Sequence, residues 1–173
     1  MSTQDLGEAN TVKYLEKCTG CHLCELVCSF FHFNKSSLLL SRIIIWKDKA
    51  RATFIPMTCI SCPGMPCARV CPTDAIVRDE NTGMPKVIES KCLGAECGKC
   101  VEACPYHAIN FNPEVHAYPL ICDLCGGDPQ CVKVCWPGAL RIVELTKSSS
   151  KERFLLATQA LTKINEIMKK LQG

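Results

Sequence analysis

Apolar residues in this chain come in short runs between turn residues, with one longer segment of a different period. Five runs, most of them rich in Ile and Val, predict short strands: RIIIW at 42–46, TFIPM at 53–57, PKVIE at 85–89, AINF at 108–111 and LRIVE at 140–144. Between them the chain reads as loop and short helical turns. The last segment, SKERFLLATQALTKINEIMKKLQG, places Phe154, Ala157, Leu161, Ile164, Met168 and Leu171 at alternating three- and four-residue steps, the period of an amphipathic helix. Ser148, Ser149 and Ser150 stand where they can cap its start, with Glu152 in the first turn and Lys169 and Lys170 in the last. That helix either packs on its own domain or docks on a partner subunit or a second copy. The apolar patches LLL at 38–40 and III at 43–45 are interrupted by Ser41 and Arg42. No run reaches the roughly 18 apolar residues of a membrane span, so direct membrane insertion is not expected.

Cysteine changes this picture. The chain has 173 residues, 16 of them cysteine and only 6% aromatic, so large side chains alone do not fill a core. The cysteines form an internal repeat of four quartets with none left over. Cys18, Cys21, Cys24 and Cys28 lie in CTGCHLCELVC; Cys59, Cys62, Cys67 and Cys71 in CISCPGMPCARVC. Cys92, Cys97, Cys100 and Cys104 lie in KCLGAECGKCVEACP; Cys122, Cys125, Cys131 and Cys135 in CDLCGGDPQCVKVC. Every quartet ends in C-x3-C. The residues after it also repeat: CPTDAI at 71–76, CPYHAI at 104–109 and CWPGAL at 135–140 put a small and then an aliphatic residue at fixed offsets. Each unit reads as a ligand loop, a helical turn carrying the last ligand, and a strand leading away. Bound metal would then supply much of the folding free energy.

Three chemistries compete for these thiols. Disulfides need an oxidising compartment, and MSTQDLGEAN carries no basic region, apolar core or twin arginine of an export signal. A cytoplasmic location is expected, where clustered thiols bind metal. Zinc sites with four cysteines combine C-x2-C knuckles across a longer loop, which does not account for the constant C-x3-C or the proline after it. The run C-x2-C-x2-C-x3-C-P is the bacterial ferredoxin pattern, in which three cysteines hold one cubane and the fourth holds its neighbour. The first quartet has this cysteine spacing in full; the others carry insertions. The C-x4-C-x2-C of residues 92–100 resembles a plant-type 2Fe–2S loop, whose fourth ligand is distant. Cys104 is close and followed by Pro105, so an expanded cubane loop is the simpler account. Net charge is a modest +3 with scattered Lys and Arg, and no nucleic-acid partner is expected.

With a first quartet lacking a following proline, two inner quartets ending in CP and a final CDLC quartet, residues 12–145 resemble the four-cluster ferredoxin-like subunits of pterin-dependent oxidoreductases. The chain is most similar to the small iron–sulfur subunits of tungsten-containing aldehyde oxidoreductases, and next to that of tungsten-dependent benzoyl-CoA reductase. The resemblance implies an α+β fold of nested bacterial-ferredoxin modules with a C-terminal amphipathic helix: a polyferredoxin domain at 1–145, its outer module 1–50 plus 112–145 and its inner module 51–111, then the helix at 146–173. It implies four 4Fe–4S clusters, held by Cys18, Cys21, Cys24 and Cys135; by Cys122, Cys125, Cys131 and Cys28; by Cys59, Cys62, Cys67 and Cys104; and by Cys92, Cys97, Cys100 and Cys71. Spacing alone also permits sequential pairing, so this nesting belongs to the resemblance. The implied role is a non-catalytic relay of single electrons to or from a large catalytic subunit with a tungsten- or molybdenum-pterin, with a flavin subunit or soluble ferredoxin as a further exchange partner. Formate dehydrogenase or hydrogenase-type complexes, a free-standing polyferredoxin shuttle and a zinc scaffold are the alternatives.

The remaining residues fit that division of labour. No dinucleotide fingerprint or P-loop occurs, and Gly126 with Gly127 reads as a turn in a ligand loop. Trp136 takes the place of Pro72 and Pro105 in the repeat and is expected to pack against a cluster and shield it from water. Lys17, Lys91 and Lys99 flank ligands, as solvated residues or as partners of anionic clusters. His22, His32, His107 and His116 lie in or near the ligand loops, where His32 and His107 are candidates for hydrogen bonds near sulfur as well as for packing.

Overall fold

The computed structural model describes residues 9–13, 15–48, 51–144 and 147–171. In chain order the elements are strand β1 (Ala9–Lys13), helix α1 (Leu23–Phe33), strands β2 (Ile44–Asp48) and β3 (Thr53–Met57), helix α2 (Pro66–Arg69), strands β4 (Ile76–Arg78) and β5 (Pro85–Val87), helices α3 (Lys99–Glu102) and α4 (Gln130–Lys133), strand β6 (Leu140–Glu144) and helix α5 (Lys147–Leu171). Short 3-10 turns fill several of the gaps.

The strands form three antiparallel pairs, β1 with β6, β2 with β3 and β4 with β5, and no larger sheet among the described residues. TFIPM and LRIVE are strands over the expected residues. β2 starts two residues later than expected, at Ile44, because Ser41 and Arg42 are used in a hydrogen-bonded corner: Ser41 Oγ donates to Ile43 O at 2.8 Å and Arg42 N–H donates to Cys28 Sγ at 3.3 Å. The expected strand at 108–111 is not formed. Ala108 and Ile109 are committed to the fold after Cys104, and only Asn110 pairs, in a single bridge to Leu120. β1 and β4 are additions to the expected set; both are strands only through a partner far along the chain or across a short turn. The module boundary expected at 50/51 lies between the paired strands β2 and β3.

α1 is an eleven-residue helix rather than a single turn. Its buried face carries Cys24, Cys28 and Glu25, and the Glu25 carboxylate accepts the Ile45 N–H at 3.0 Å, holding β2 against the helix. Cys24, Cys28, Ile43, Ile45, Cys131 and Leu140 make one apolar cluster; Cys67, Ile76, Cys100, Ile109 and Ile121 make another. Cysteine thus supplies core volume as well as candidate ligands.

α5 packs on the chain's own β3 and on the loop after Cys104. Ala160, Ile164 and Ile167 are buried with Ile55, Met57 and Ala108, and Trp46, Tyr106 and Met168 flank them. Because the helix begins at Lys147, the three serines fall in its first turn and Glu152 beyond it. Lys170 Nζ reaches Asp48 Oδ2 at 3.1 Å, and Arg51 Nη1 reaches Glu166 Oε2 at 2.8 Å. The exposed Arg51–Glu166 pair contributes at most about 1 kcal/mol, and the Lys170–Asp48 pair mainly offsets the cost of burying Asp48, so the apolar stripe fixes the helix. Ile164→Ala is expected to cost about 2–4 kcal/mol, read as a lower unfolding temperature of the anaerobic protein. Lys163→Ala, one residue away on the exposed side of the helix, should leave that temperature nearly unchanged.

Candidate metal centres

The quartets draw on a shared set of backbone steps. The residue two places after the first cysteine is left-handed in all four: Gly20 (φ 67°), Ser61 (50°), Gly94 (56°) and Leu124 (57°). Its N–H points back at the first sulfur. Ser61 N–H donates to Cys59 Sγ and Gly94 N–H to Cys92 Sγ, each at 3.4 Å, and Gly20 and Leu124 serve Cys18 and Cys122 in the same way. The expanded loop of 92–97 therefore starts as the others do, and its extra residues form the 3-10 turn Gly94–Glu96. At Gly94 the left-handed backbone coincides with close approach: a Cβ there would lie 2.4 Å from the Ala117 carbonyl oxygen. A second left-handed residue, His22, Met65 or Gly98, then opens α1, α2 or α3.

The third cysteines, Cys24, Cys67, Cys100 and Cys131, sit in the first turns of α1 to α4 and are all buried. C-x3-C spans one helical turn. After the fourth cysteine the chain turns left-handed at Asp74 (φ 51°), His107 (47°) and Gly138 (68°). This tucks Ala75, Ala108 and Ala139 into the interior, and the N–H groups of Ala75, Ala108 and Leu140 donate to the sulfurs of Cys71, Cys104 and Cys135 at 3.2, 3.4 and 3.3 Å. The repeated small-then-aliphatic signature is thus a sulfur-binding turn: only a small residue fits, and the aliphatic one fills the core behind it.

The sixteen thiols are all free. They line four cavities. One is bounded by Cys18, Cys21, Cys24 and Cys135. A second is bounded by Cys28, Cys122, Cys125 and Cys131. A third takes Cys59, Cys62, Cys67 and Cys104, and a fourth takes Cys71, Cys92, Cys97 and Cys100. Cavities of neighbouring quartets touch: Cys59 packs against Cys122, with Met84 and Leu124, and Cys67 and Cys100 share an apolar cluster. No feature of the spacing signals the contact between Cys59 and Cys122.

Burial pushes the Cys59 and Cys100 thiols up to about 12 and Cys125 up to about 11, with neighbouring thiols adding to the effect; burial also raises Cys24, with the Glu25 carboxylate next, and Cys122, with the Cys131 thiol next. Four thiolates in such a space repel one another and lack water, so the charged form requires a multivalent cationic centre between them. The donor set of four sulfurs lining each cavity and the inward backbone N–H groups fit an iron–sulfur cluster.

The other candidate residues separate. Trp136 is 72% exposed and does not shield a cavity, because the position after the fourth cysteine faces outward in this turn, as Pro72 and Pro105 do. Lys17, Lys91 and Lys99 are exposed. His22 pairs with Glu25, and His116 packs between Phe33 and Tyr118. His107 supplies the left-handed turn and an edge contact to Trp46. His32 alone of the four has a ring nitrogen near sulfur among the described contacts, 3.7 Å from Cys125 Sγ. Burial and the Arg42 guanidinium lower its pKa against the opposing pull of Asp123. Gly126 and Gly127 form the expected turn.

Residues 50–145, more than half of the chain, match the family described as 4Fe-4S dicluster domain. The chain belongs to this 4Fe-4S dicluster family. It is 40% identical over 139 residues to the polyferredoxin-like subunit of an aliphatic sulfonate oxidoreductase of Pyrococcus furiosus, covering 74% of this chain and 73% of that one. It is 32% identical over 146 residues to the thiosulfate reductase electron transfer subunit PhsB of Salmonella typhi, covering 77% and 74%. Among solved structures it is similar to a chain of the active site complex BamBC of benzoyl coenzyme A reductase, at 21% identity over 95% of this chain and 97% of that one, with a TM-score of 0.45.

The shared turn of this dicluster chain makes a prediction at an exposed position. Asp74→Val forces a β-branched residue into the left-handed region and is expected to cost about 1–2 kcal/mol, whereas Asp74→Gly should be neutral or slightly stabilising. Thermal unfolding of the two variants under one set of anaerobic conditions checks this.

Proposed function

We propose that this chain is the electron-transfer subunit of an oxidoreductase complex, holding four 4Fe–4S clusters and passing single electrons to or from a separate catalytic chain. The observation that carries the reading is the exchange of fourth cysteines: each cavity takes three thiols from one quartet and its fourth from another. The proposed ligand sets are the four that bound the cavities, beginning with Cys18, Cys21, Cys24 and Cys135. A 4Fe–4S cluster, when bound, supplies reversible one-electron chemistry. The chain itself supplies four sulfurs to each centre, which leaves no ligand position for substrate, and an apolar surround that limits water. Contact between Cys59 and Cys122 joins the outer pair of cavities to the inner pair, so the four lie in series rather than as two isolated pairs.

The catalytic chain is proposed to carry a tungsten- or molybdenum-pterin and to belong to an aldehyde oxidoreductase-type complex, as the motif pattern suggests. The names of the relatives support the subunit role and differ in substrate. No described helix is long and apolar enough to cross a membrane. Isolated without oxygen, the chain is expected to be brown, to hold about sixteen iron atoms and to accept electrons from a strong reductant. Iron near zero with stoichiometric zinc would sink the reading. Purified from its native source, it is expected to bring with it a large subunit containing tungsten or molybdenum; a stable isolated monomer would favour a free shuttle instead. Cys135→Ser is expected to perturb the centre formed with Cys18, Cys21 and Cys24 and to leave that of Cys122, Cys125 and Cys131 intact, which separates nested from sequential ligation by spectroscopy of the individual clusters.

A further inference from the structure

α1 runs further than its cysteines require. Cys24 and Cys28 occupy its first half, and the helix continues to Phe33. Residues four apart lie on one face, so the extra turn sets His32 directly beyond Cys28, on the wall of the cavity bounded by Cys28, Cys122, Cys125 and Cys131. The His32 side chain is 9% exposed. Its Nε2 lies 3.7 Å from Cys125 Sγ and 3.4 Å from Asp123 Oδ1.

The surroundings fix the direction of this contact. Asp123 Oδ1 already accepts the Cys125 N–H at 3.0 Å, and Asp123 Oδ2 is paired with Arg42 Nη1 at 2.5 Å. Asp123 Oδ1 is an acceptor, and Cys125 Sγ becomes one when it ligates a cluster as thiolate, so with the cluster bound the neutral imidazole places its proton on Nε2. Arg42 offsets the Asp123 charge, and its own N–H donates to Cys28 Sγ at 3.3 Å. Arg42, Asp123 and His32 thus bring three segments of chain together around two of the four sulfurs of this cavity. Among the described contacts the other N–H donors to these sulfurs come from the backbone, and the Ser41 hydroxyl also reaches Cys28; His32 is a side-chain N–H donor and can be exchanged by mutation without breaking the loop.

We propose that His32 is a tuning residue: its Nε2–H donates to Cys125 Sγ and raises the reduction potential of the cluster held by Cys28, Cys122, Cys125 and Cys131. This rests on the ligand sets proposed above. A donor at sulfur stabilises negative charge, and the reduced cluster carries one more negative charge than the oxidised one, so the donor favours reduction. The effect is confined to one centre and separates the second step of the series from the others.

The test is an anaerobic redox titration of the full, iron-loaded chain followed by electron paramagnetic resonance, in wild type, His32→Phe and His32→Gln. Phenylalanine keeps the ring volume and removes the donor; glutamine restores an N–H. In His32→Phe one reduction step is expected to move to lower potential while the other three stay and iron remains near sixteen atoms, about four per cluster. In His32→Gln that step is expected to return toward the wild-type value. Unmoved potentials in His32→Phe would overturn the proposal, as would an equal downward shift in both variants, which would make the effect one of packing. Loss of about four iron atoms in His32→Phe would overturn it by making His32 a ligand or an essential structural support. A wild-type chain with no iron would overturn the ligand assignment and this proposal together, whereas a loaded wild type with an unmoved His32→Phe overturns this one alone.

Discussion

Everything in this fold depends on a backbone N–H placed against a cysteine sulfur. The bond recurs at the start of each quartet, from a left-handed residue two places on, and after the last cysteine of three quartets, from a residue one or two places past a second left-handed turn. Individually such bonds are weak. Their importance is that they set the direction of the side chains they hold. Once the sulfurs point inward, little freedom remains for the segments between them: α2, α3 and α4 are four-residue helices because C-x3-C needs one turn and no more. The core follows from this arrangement. In the two clusters that contain most of the cysteines, sulfur stands beside Ile43, Ile45, Ile76 and Ile109, where a domain of ordinary composition would use aliphatic and aromatic residues alone.

That dependence explains what was legible in the sequence. The quartets and the chemical class can be read directly because cysteine identity and spacing encode them with little ambiguity. The strands TFIPM and LRIVE were legible because their pattern and their turn boundaries agree. AINF at 108–111 has the same local pattern and is not a strand, since Ala108 and Ile109 answer to the sulfur of Cys104 and to the core behind it. Trp136 misled for a related reason. Its chemistry suggests a buried shield, but the turn after Cys135 points that position outward whatever residue occupies it. Left-handed backbone at Ser61, Leu124, Asp74 and His107 was not legible at all, because none of these residues announces a positive φ as glycine does. The contact of Cys59 with Cys122 was likewise hidden, being a property of how two quartets stack rather than of either one.

α1 shows how a repeat is modified without being lost. Its quartet has the plainest spacing and yet the most divergent surroundings. No sulfur-binding turn follows Cys28; the helix continues instead, and the N–H that serves Cys28 comes from Arg42, fourteen residues away. The continued helix carries His32, Phe33 and the outward Phe30 and Phe31, so one departure from the repeat adds both a polar group at a cavity wall and an aromatic surface. Sequence alone marks the departure by the absence of proline after Cys28 and leaves its consequences unstated.

The nested order of cysteines looks costly and is not. The third cavity joins residues 59–104, whereas the first joins residues 18–135. Loop-closure entropy grows only with the logarithm of length, so bringing the outer ends together costs about 1 kcal/mol more than closing the inner segment. Pairing of β1 with β6, register Ala9 with Glu144 through Lys13 with Leu140, brings the two ends of the outer segment side by side and readily offsets a cost of that size. β1 would have little reason to exist as a strand by itself: ANTVK has a weak local preference, and its partner lies across the whole domain. Its place in the fold is to close the outer segment, bringing the chain around Cys18 and Cys135 together. The inner cavities close over a shorter stretch of chain, and β1, β6 and the α1–α4 contact hold the outer segments together.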